Sequence, residues 1–356
     1  MKNFDFPVFK TKTEGVTKKF NLNDPDERRE YFSAKAGPEI AAIRKYLESG
    51  KAFVAHLLGK KNSGKGTYSK LFMEAIGGSH IGHVAVGDIV RDVHAGLSDP
   101  AKKNELSAFL AKHYRGFHSL EEIDGLIEGR SQSTLVSSEL IIALLKYEIS
   151  KRPRQAIFID GFPRGLDQVN YSIFLRELLG YHGEPDFFVF IDVPDAVIDE
   201  RIKARVVCPV CKTPRSLKLA PTKEIGYDEK QKVFYLICDN PACKGARMVS
   251  KEGDELGIEP IRARLEMDEK ISRQLLELKG VPKVLLRNSV PVEKAKEFVD
   301  DYEATPMYSY ERDEKTKKIK IIETPWIVDY DGVPSYSLLP AAVALSLIKQ
   351  VAKILI

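Results

Sequence analysis

A glycine-rich stretch in the first quarter of the chain has the residue types and the spacing that bind phosphate. It reads Gly59-Lys60-Lys61-Asn62-Ser63-Gly64-Lys65-Gly66-Thr67, which matches G-x-x-x-x-G-K-[ST] apart from the additional Gly66. Glycines let such a loop curl until its backbone N–H groups point inward, and the helix that follows adds its positive end. Lys65 supplies a positive charge to the β- and γ-phosphates of a nucleoside triphosphate.

All four cysteines lie in two local pairs, Cys208-Pro209-Val210-Cys211 and Cys238-Asp239-Asn240-Pro241-Ala242-Cys243. Four thiolates arranged in this way suit a tetrahedral zinc ion, and a site with four cysteine ligands is closed, hence structural. Reduced cysteines without a metal are the alternative. A redox pair is disfavoured because no helix pattern follows the first pair.

Apolar runs place these motifs in an α/β fold. Five runs have strand length, at 52–58, 84–86, 155–159, 186–191 and 283–286. They alternate with helical stretches, which is typical of a parallel sheet covered by helices on both faces. One helix is predicted over 38–49. Long interruptions at about 92–134 and 206–257 are predicted to be inserts at the carboxyl ends of strands, where α/β folds bind ligands.

Two motifs together resemble the adenylate kinases and related nucleoside monophosphate kinases. They are the Gly-Lys-Gly-Thr ending of the phosphate loop and Asp160-Gly161-Phe162-Pro163-Arg164, which follows a predicted strand. The resemblance covers about residues 52–300. It implies a P-loop NTPase fold with a parallel five-stranded sheet, helices on both faces, an insert that binds the nucleoside monophosphate (NMP) and a zinc-containing lid.

The resemblance also suggests a domain organisation. We expect an N-terminal extension at 1–50, a nucleoside monophosphate kinase core at 51–301 and a C-terminal extension at 302–356. Within the core, the NMP-binding insert spans about 87–150 and the zinc lid about 206–257. The C-terminal extension is predicted to hold a hairpin and an apolar helix.

Residues that match the family's motifs receive roles by resemblance. The catalytic set is Lys65, Asp160, Arg164, Arg205 and Arg264. The ATP-binding set is Gly59, Asn62, Ser63, Gly64, Lys65, Gly66, Thr67 and Arg201. The AMP-binding set is Val86, Gly87, Arg91, Val136, Gly161, Arg164, Gln168 and Arg264. The metal set is Cys208, Cys211, Cys238 and Cys243. A carboxylate at a strand end, here Asp160, can also hold Mg²⁺ through water molecules.

These residues predict transfer of the γ-phosphoryl group of ATP to AMP with Mg²⁺, giving two ADP. Gln168 matches the family's adenine-contacting glutamine and favours AMP, whereas Val86 replaces the usual threonine and leaves a UMP/CMP or broad-specificity kinase open. The resemblance also implies a further lid arginine upstream of Arg264. No residue of this chain aligns with it, and Arg247 is the candidate for its role. A degenerate nucleotide-sensing or nucleic-acid-binding zinc protein is disfavoured because the charged set is intact.

Composition and charge limit the remaining partners. The chain has 356 residues and a net charge of +4, and its most basic stretch, 315–320, is predicted to be a hairpin tip. The N-terminus lacks a signal-peptide core. The apolar segment 338–356 carries Lys349, Gln350 and Lys353, and is predicted to pack on the domain as a helix. We expect a cytoplasmic monomer that binds ATP and AMP, with neither nucleic acid nor membrane as partner.

Overall fold

The computed structural model of the chain describes residues 6–119, 121–123, 125 and 137–356. Within these residues the helices are α1 (Pro25–Glu48), α2 (Lys65–Ile76), α3 (Val86–Gly96), α4 (Pro100–His113), α5 (Ser138–Ser150), α6 (Gln168–Leu178), α7 (Asp195–Lys203), α8 (Arg262–Glu277), α9 (Val292–Phe298) and α10 (Pro340–Leu355). The central strands are β1 (Val54–Gly59), β2 (Ile81–Ala85), β3 (Ala156–Asp160), β4 (Asp186–Asp192) and β10 (Lys283–Arg287). The outer strands are β5 (Arg205–Val207), β6 (Pro214–Ser216), β7 (Ile225–Asp228), β8 (Val233–Leu236), β9 (Val249–Ser250), β11 (Ser289–Pro291), β12 (Pro306–Arg312), β13 (Ile319–Pro325), β14 (Ile327–Tyr330) and β15 (Val333–Ser337).

The five central strands form one sheet in the order β10-β4-β1-β3-β2. Every neighbouring pair is parallel. Aromatic side chains meet over this sheet, where the ring of Phe53, which directly precedes β1, lies 5.5 Å from that of Phe158 and 5.4 Å from that of Phe187. The predicted parallel five-stranded sheet is therefore confirmed. The strand predicted at 84–86 lies earlier in the chain, because β2 spans Ile81–Ala85 and α3 begins at Val86.

The first helix begins earlier than predicted. The sequence pattern predicts a helix over 38–49, but α1 begins at Pro25, where the Asp24 side chain accepts hydrogen bonds from the N–H groups of Asp26 and Glu27. A kink at Ala36, which has non-helical backbone angles, separates the two halves. Pro38 lacks an N–H donor and interrupts the helical hydrogen bonds at this point. The predicted helix is thus the second half of a longer, kinked one.

The two terminal regions pack against each other and against the core. Helices α1 and α10 contact one another, and both contact α2. Lys35, on α1, has a fully buried side chain whose Nζ lies 2.6 Å from Asp300 Oδ2 and 2.8 Å from Glu303 Oε1. Removing either charge from such a pair would leave the other buried and uncompensated. These contacts join the N-terminal helix to the segment that precedes β12.

The apolar segment near the C-terminus forms α10, most of which is buried against the domain. This confirms the predicted packed helix. In the described part of the chain, no helix combines the length and the apolar character needed to cross a bilayer.

The β12–β13 hairpin contacts the lid insert (206–257). The Tyr308 N–H donates to Lys218 O at 2.7 Å, and the Tyr310 hydroxyl donates to Leu217 O at 2.6 Å. The ring of Tyr310 lies 5.5 Å from that of Phe234 on β8. Turn residues 314–316 form the hairpin tip, whereas the last two residues of the predicted tip at 315–320 belong to β13. The lid insert is therefore supported by a segment that lies outside the predicted kinase core.

We predict that Tyr310→Ala loosens the lid strands. The variant loses one hydrogen bond and one aromatic contact, together about 1.5 kcal/mol, so amides of β7 and β8 should exchange with solvent about tenfold faster. Hydrogen-exchange mass spectrometry measures this change, and amides of β1 should keep their protection. Glu311→Ala, at the exposed neighbouring position, is the control. Equal exchange of β7 and β8 in both variants would contradict the prediction.

Candidate active site

The parallel sheet brings the predicted site residues to one edge. The phosphate loop (59–67) begins at the last residue of β1, and Asp160 ends β3 directly beside it, with Leu57 in register with Asp160. Strand β4 ends nearby, since Gly59 is in register with Ile191. The carboxyl ends of parallel strands meet at the same edge, which is where α/β folds bind ligands. Motifs that are about 100 residues apart in sequence thus become neighbours.

The backbone of the phosphate loop is shaped for anion binding. Asn62 has φ of 66° and Gly64 has φ of 101°, a left-handed conformation that asparagine and glycine adopt more readily than other residues. A Cβ atom at Gly64 would lie 2.8 Å from the ring of Tyr68. Helix α2 begins directly after Gly64. Because glycine has no side chain to cap the helix, the N–H groups of its first turn are left available to the site.

Lys65 is held by the loop that it serves. Its Nζ donates to Gly59 O at 2.9 Å and to Lys60 O at 3.0 Å. Burial lowers the pKa of the Lys65 ammonium, and the nearby carboxylates of Asp160 and Asp268 oppose that effect. A bound phosphate would favour the charged form further, because an opposite charge stabilises it.

Two cavities meet at the phosphate loop. The larger cavity, of about 1020 Å³, contains Gly87, Arg91, Gly161, Arg164 and Arg264 in its wall. The smaller cavity, of about 560 Å³, is lined by the loop and by Thr67, Tyr68, Arg201, Arg205 and Pro340. Three residues line both cavities, namely Asn62, Lys65 and Asp160. Ligands in the two cavities would therefore approach each other beside Lys65 and Asp160.

Basic side chains dominate the larger cavity. Six basic residues line it, namely Lys61, Lys65, Arg91, Arg164, Lys251 and Arg264. Three acidic residues accompany them, namely Asp92, Asp160 and Asp268. Such a concentration of positive charge in a cleft attracts anionic ligands and neutralises charge that develops on them.

Arginines next to the lid insert have carboxylate or carbonyl partners in the structure. Both oxygens of Asp254 accept hydrogen bonds from Arg205 at 2.6 Å. Arg264 Nε donates to Asp268 Oδ1 at 3.0 Å, and Arg201 Nη1 donates to Asn62 O at 3.3 Å. The structure thus brings all three predicted arginines to the walls of the two cavities.

Glycines bring the backbone close to the guanidinium groups of the larger cavity. Gly161 has φ of 88°, and a Cβ atom there would lie 2.4 Å from Arg164 Nη2. A Cβ atom at Gly87 would lie 3.4 Å from the same nitrogen and 3.6 Å from Arg91 Nη1. Arg91 also forms an ion pair with Asp88. These predicted residues therefore form one cluster.

Two of the residues predicted to contact the acceptor base, Gln168 and Val86, are buried next to segments of this cluster. Gln168 is buried, and its Oε1 accepts a hydrogen bond from the Arg164 N–H at 2.8 Å. Val86 is buried at the start of α3. Neither side chain lines the two cavities. Val136 lies outside the described residues. The roles of all three toward a base stay predictions.

Several residues that were not predicted also line the cavities, Lys61, Lys251 and Pro340 among them. Lys61 and Lys251 line the larger cavity and Pro340 lines the smaller one. Arg247, the candidate for the additional lid arginine, instead forms an ion pair with Asp228 at 2.7 Å and lies over the ring of Tyr235. The basic residue that the lid insert contributes to the larger cavity is therefore Lys251, and Arg247 does not reach it. Only the P-loop position of Lys61 offered a signal in the sequence.

The four cysteines come together in the lid insert. Their Sγ atoms all lie within 4.8 Å of one another, and Cys211 and Cys238 are 3.7 Å apart. A tetrahedral ion with bonds of about 2.3 Å requires sulfur atoms about 3.8 Å apart, so the cluster fits a single metal ion. None of the cysteines lines the larger or the smaller cavity. This position suits a metal that orders the lid insert.

We predict about one metal ion per chain, bound by these thiols. Cys211→Ser should reduce the metal content measured by elemental analysis and lower the melting temperature, because metal-binding free energy stabilises the folded insert. Chelator should have the same effect on the unmodified protein, and added zinc should reverse it there but not in the variant. Metal-free protein with an unchanged melting temperature would contradict the prediction.

The parallel sheet, the phosphate loop after its central strand and the basic cleft define a P-loop NTPase fold. Comparison with curated proteins finds adenylate kinases. The chain is 30% identical over 200 residues to that of Thermotoga petrophila, which covers 56% of this chain and 73% of the relative. It is 30% identical over 224 residues to that of Bacillus subtilis, which covers 62% and 83%. No protein-family model matches the chain. The chain belongs to the adenylate kinase family and is a phosphotransferase.

Proposed function

We propose that this protein transfers the γ-phosphoryl group of ATP to AMP with Mg²⁺ and releases two ADP. The observation that carries the proposal is the meeting of two cavities at Lys65 and Asp160. Phosphoryl transfer needs two substrates placed in line and a positive environment for the migrating group, and little else from the protein. A kinase of nucleoside monophosphates is the activity that this arrangement supports best.

On the donor side, ATP occupies the smaller cavity. Its β- and γ-phosphates lie against Lys65 and the first-turn N–H groups of α2, and its base lies toward Arg201 and Pro340. Arg205 exchanges its partner Asp254 for phosphate oxygens. Guanidinium groups suit this exchange because they bind carboxylates and phosphates with the same fork geometry.

On the acceptor side, AMP occupies the larger cavity. Arg91, Arg164 and Arg264 hold its phosphate, and Gly87 and Gly161 allow the close approach of the backbone. Gln168 is the proposed adenine contact, together with Val86 and Val136. In the structure Gln168 also fixes the backbone of Arg164, so it links the base side of the site to the phosphate side.

Asp160 would hold Mg²⁺ through water molecules, because its carboxylate lies at the junction of the two cavities. When bound, the ion neutralises charge on the β- and γ-phosphates. Lys65, Arg164, Arg205 and Arg264 provide the remaining positive charge from the chain. The lid insert, stabilised by zinc at its four cysteines, covers the cleft and keeps water from the migrating group.

A second candidate is a UMP/CMP or broad-specificity kinase, and the residue that favours it is Val86. An apolar side chain at this position cannot hydrogen-bond to an adenine edge, which weakens selection among bases.

A cytoplasmic monomer is proposed from the sequence. The division into a kinase core at 51–301 and two extensions is likewise a proposal. In this division the C-terminal extension contributes one residue, Pro340, to the wall of the smaller cavity.

A turnover panel tests the proposed acceptor. ATP and Mg²⁺ with AMP, CMP, UMP or GMP should give ADP fastest with AMP, because Gln168 matches the adenine-contacting glutamine of the family. Coupled detection of ADP measures each rate, and omission of Mg²⁺ should abolish it. Faster turnover of CMP or UMP would transfer the assignment to the second candidate. Failure of all four acceptors would reject a kinase of nucleoside monophosphates.

Arg264→Ala should lower kcat/KM at least about 100-fold, because the guanidinium stabilises charge on the migrating group. Arg262→Ala is the matched control. Arg262 lies on the same turn of α8 but is exposed and paired with Glu259, and it lines neither cavity. Steady-state kinetics of both variants should separate them, with the melting temperature checked for each. Equal loss in the two variants would contradict the role of Arg264.

A further inference from the structure

Two lysines of the larger cavity have no role in the site described so far. Lys61 belongs to the phosphate loop, and Lys251 follows β9 in the lid insert. They come from two separate parts of the chain that both line this cavity. Lys61 has a fixed backbone position, because its N–H donates to Asp268 Oδ2 at 3.0 Å.

The two ammonium groups differ from the neighbouring Lys60 in their surroundings. Lys60 Nζ lies 2.6 Å from Asp195 Oδ1 and 3.3 Å from Glu269 Oε2. Among the residues that the structure describes, neither Lys61 nor Lys251 has a carboxylate oxygen within 4.0 Å of its Nζ. Carboxylates of α7 and α8 thus neutralise one of the two adjacent lysines of the loop, and the other lines the cavity.

Other cations surround Lys61. Burial lowers the pKa of its ammonium, and the charges of Arg264, Lys251 and Arg205 lower it further. Like charges held together in a cleft repel each other unless an anion lies between them. The arrangement therefore favours a ligand with several negative charges.

The resemblance of the sequence implies a lid arginine upstream of Arg264, and the structure shows that Arg247 is not that residue. Its guanidinium pairs with Asp228 and lies 4.2 Å from the ring centroid of Tyr235, within the lid insert. The larger cavity therefore lacks the charge that this arginine would supply. Lys251, four residues further along the chain, reaches the cavity instead.

We propose that Lys61 and Lys251 bind the phosphate oxygens of the nucleotides in the larger cavity, one from the loop and one from the lid insert, in place of the lid arginine. This inference rests on the proposed function, because it places nucleotide phosphates between these two residues. Lys61 contacts the terminal phosphate of the donor, which reaches the larger cavity where the two cavities meet at Lys65 and Asp160. Lys251 completes the contact when the lid insert lies over the cleft.

Steady-state kinetics with ATP and AMP test the pair through Lys61→Ala, Lys251→Ala and the double variant. Each single variant should lose about tenfold or more in kcat/KM, since each removes a hydrogen bond to a charged group. The double variant should lose less than the product of the two, because the lysines act on the same phosphates. Lys270→Ala, which removes the same charge from an exposed position on α8, should keep the activity of the unmodified protein.

A binding measurement separates this inference from the proposed function. Calorimetry with ATP and with inorganic tripolyphosphate should show weaker binding by Lys61→Ala and Lys251→Ala, while Lys61→Arg and Lys251→Arg retain most of the affinity. If the protein makes no ADP from AMP but the alanine variants still bind tripolyphosphate more weakly, the proposed function fails and the lysine pair stands. If both alanine variants match Lys270→Ala in kinetics and in binding, the lysine pair is rejected.

Discussion

Mutual repulsion among basic side chains is the constraint on which this structure depends. Six of them line one cleft with only three carboxylates, and the fold has to hold them there before any phosphate binds. Partners within the structure offset the repulsion: backbone carbonyls hold Lys65 and Asp268 pairs with Arg264, while Asp254 pairs with Arg205, which lines the smaller cavity. A nucleotide would replace these partners, so its binding exchanges one set of charge-assisted hydrogen bonds for another.

Chain segments outside the predicted core contribute to this arrangement. Helix α10 packs on α2, the helix that begins at the phosphate loop, and its first residue, Pro340, lines the smaller cavity. Asn288 donates hydrogen bonds to the Tyr68 hydroxyl at 3.2 Å and to Leu338 O at 3.0 Å, which fixes the C-terminal segment beside the loop. The β12–β13 hairpin contacts the lid insert from outside. The C-terminal region thus supports the wall of the smaller cavity and the lid insert.

Much of the fold followed from local patterns. Continuous apolar runs predicted the buried parallel strands, because a strand covered on both faces has no polar side to alternate with. The glycine spacing predicted the phosphate loop, whose left-handed positions are occupied by Asn62 and Gly64. The start of α1 was wrong, because the polar stretch before Pro38 has no marked apolar period and is held as a helix by the Asp24 cap and by burial of Tyr31 and Phe32.

The sequence by itself determined the strands of the sheet, the phosphate loop and the two local pairs of cysteines, since each of these depends on residues that are close together in the chain. Only the tertiary structure decided which lysine of the loop is neutralised, that Arg247 turns away from the cleft, and that Lys251 and Pro340 reach it. These outcomes depend on partners such as Asp195, Asp228 and Glu269, which only the folded chain brings into range. The partners of Lys60 and Arg247 are 19 or more residues away in the chain, so their ion pairs are set by proximity in space and follow no local sequence pattern.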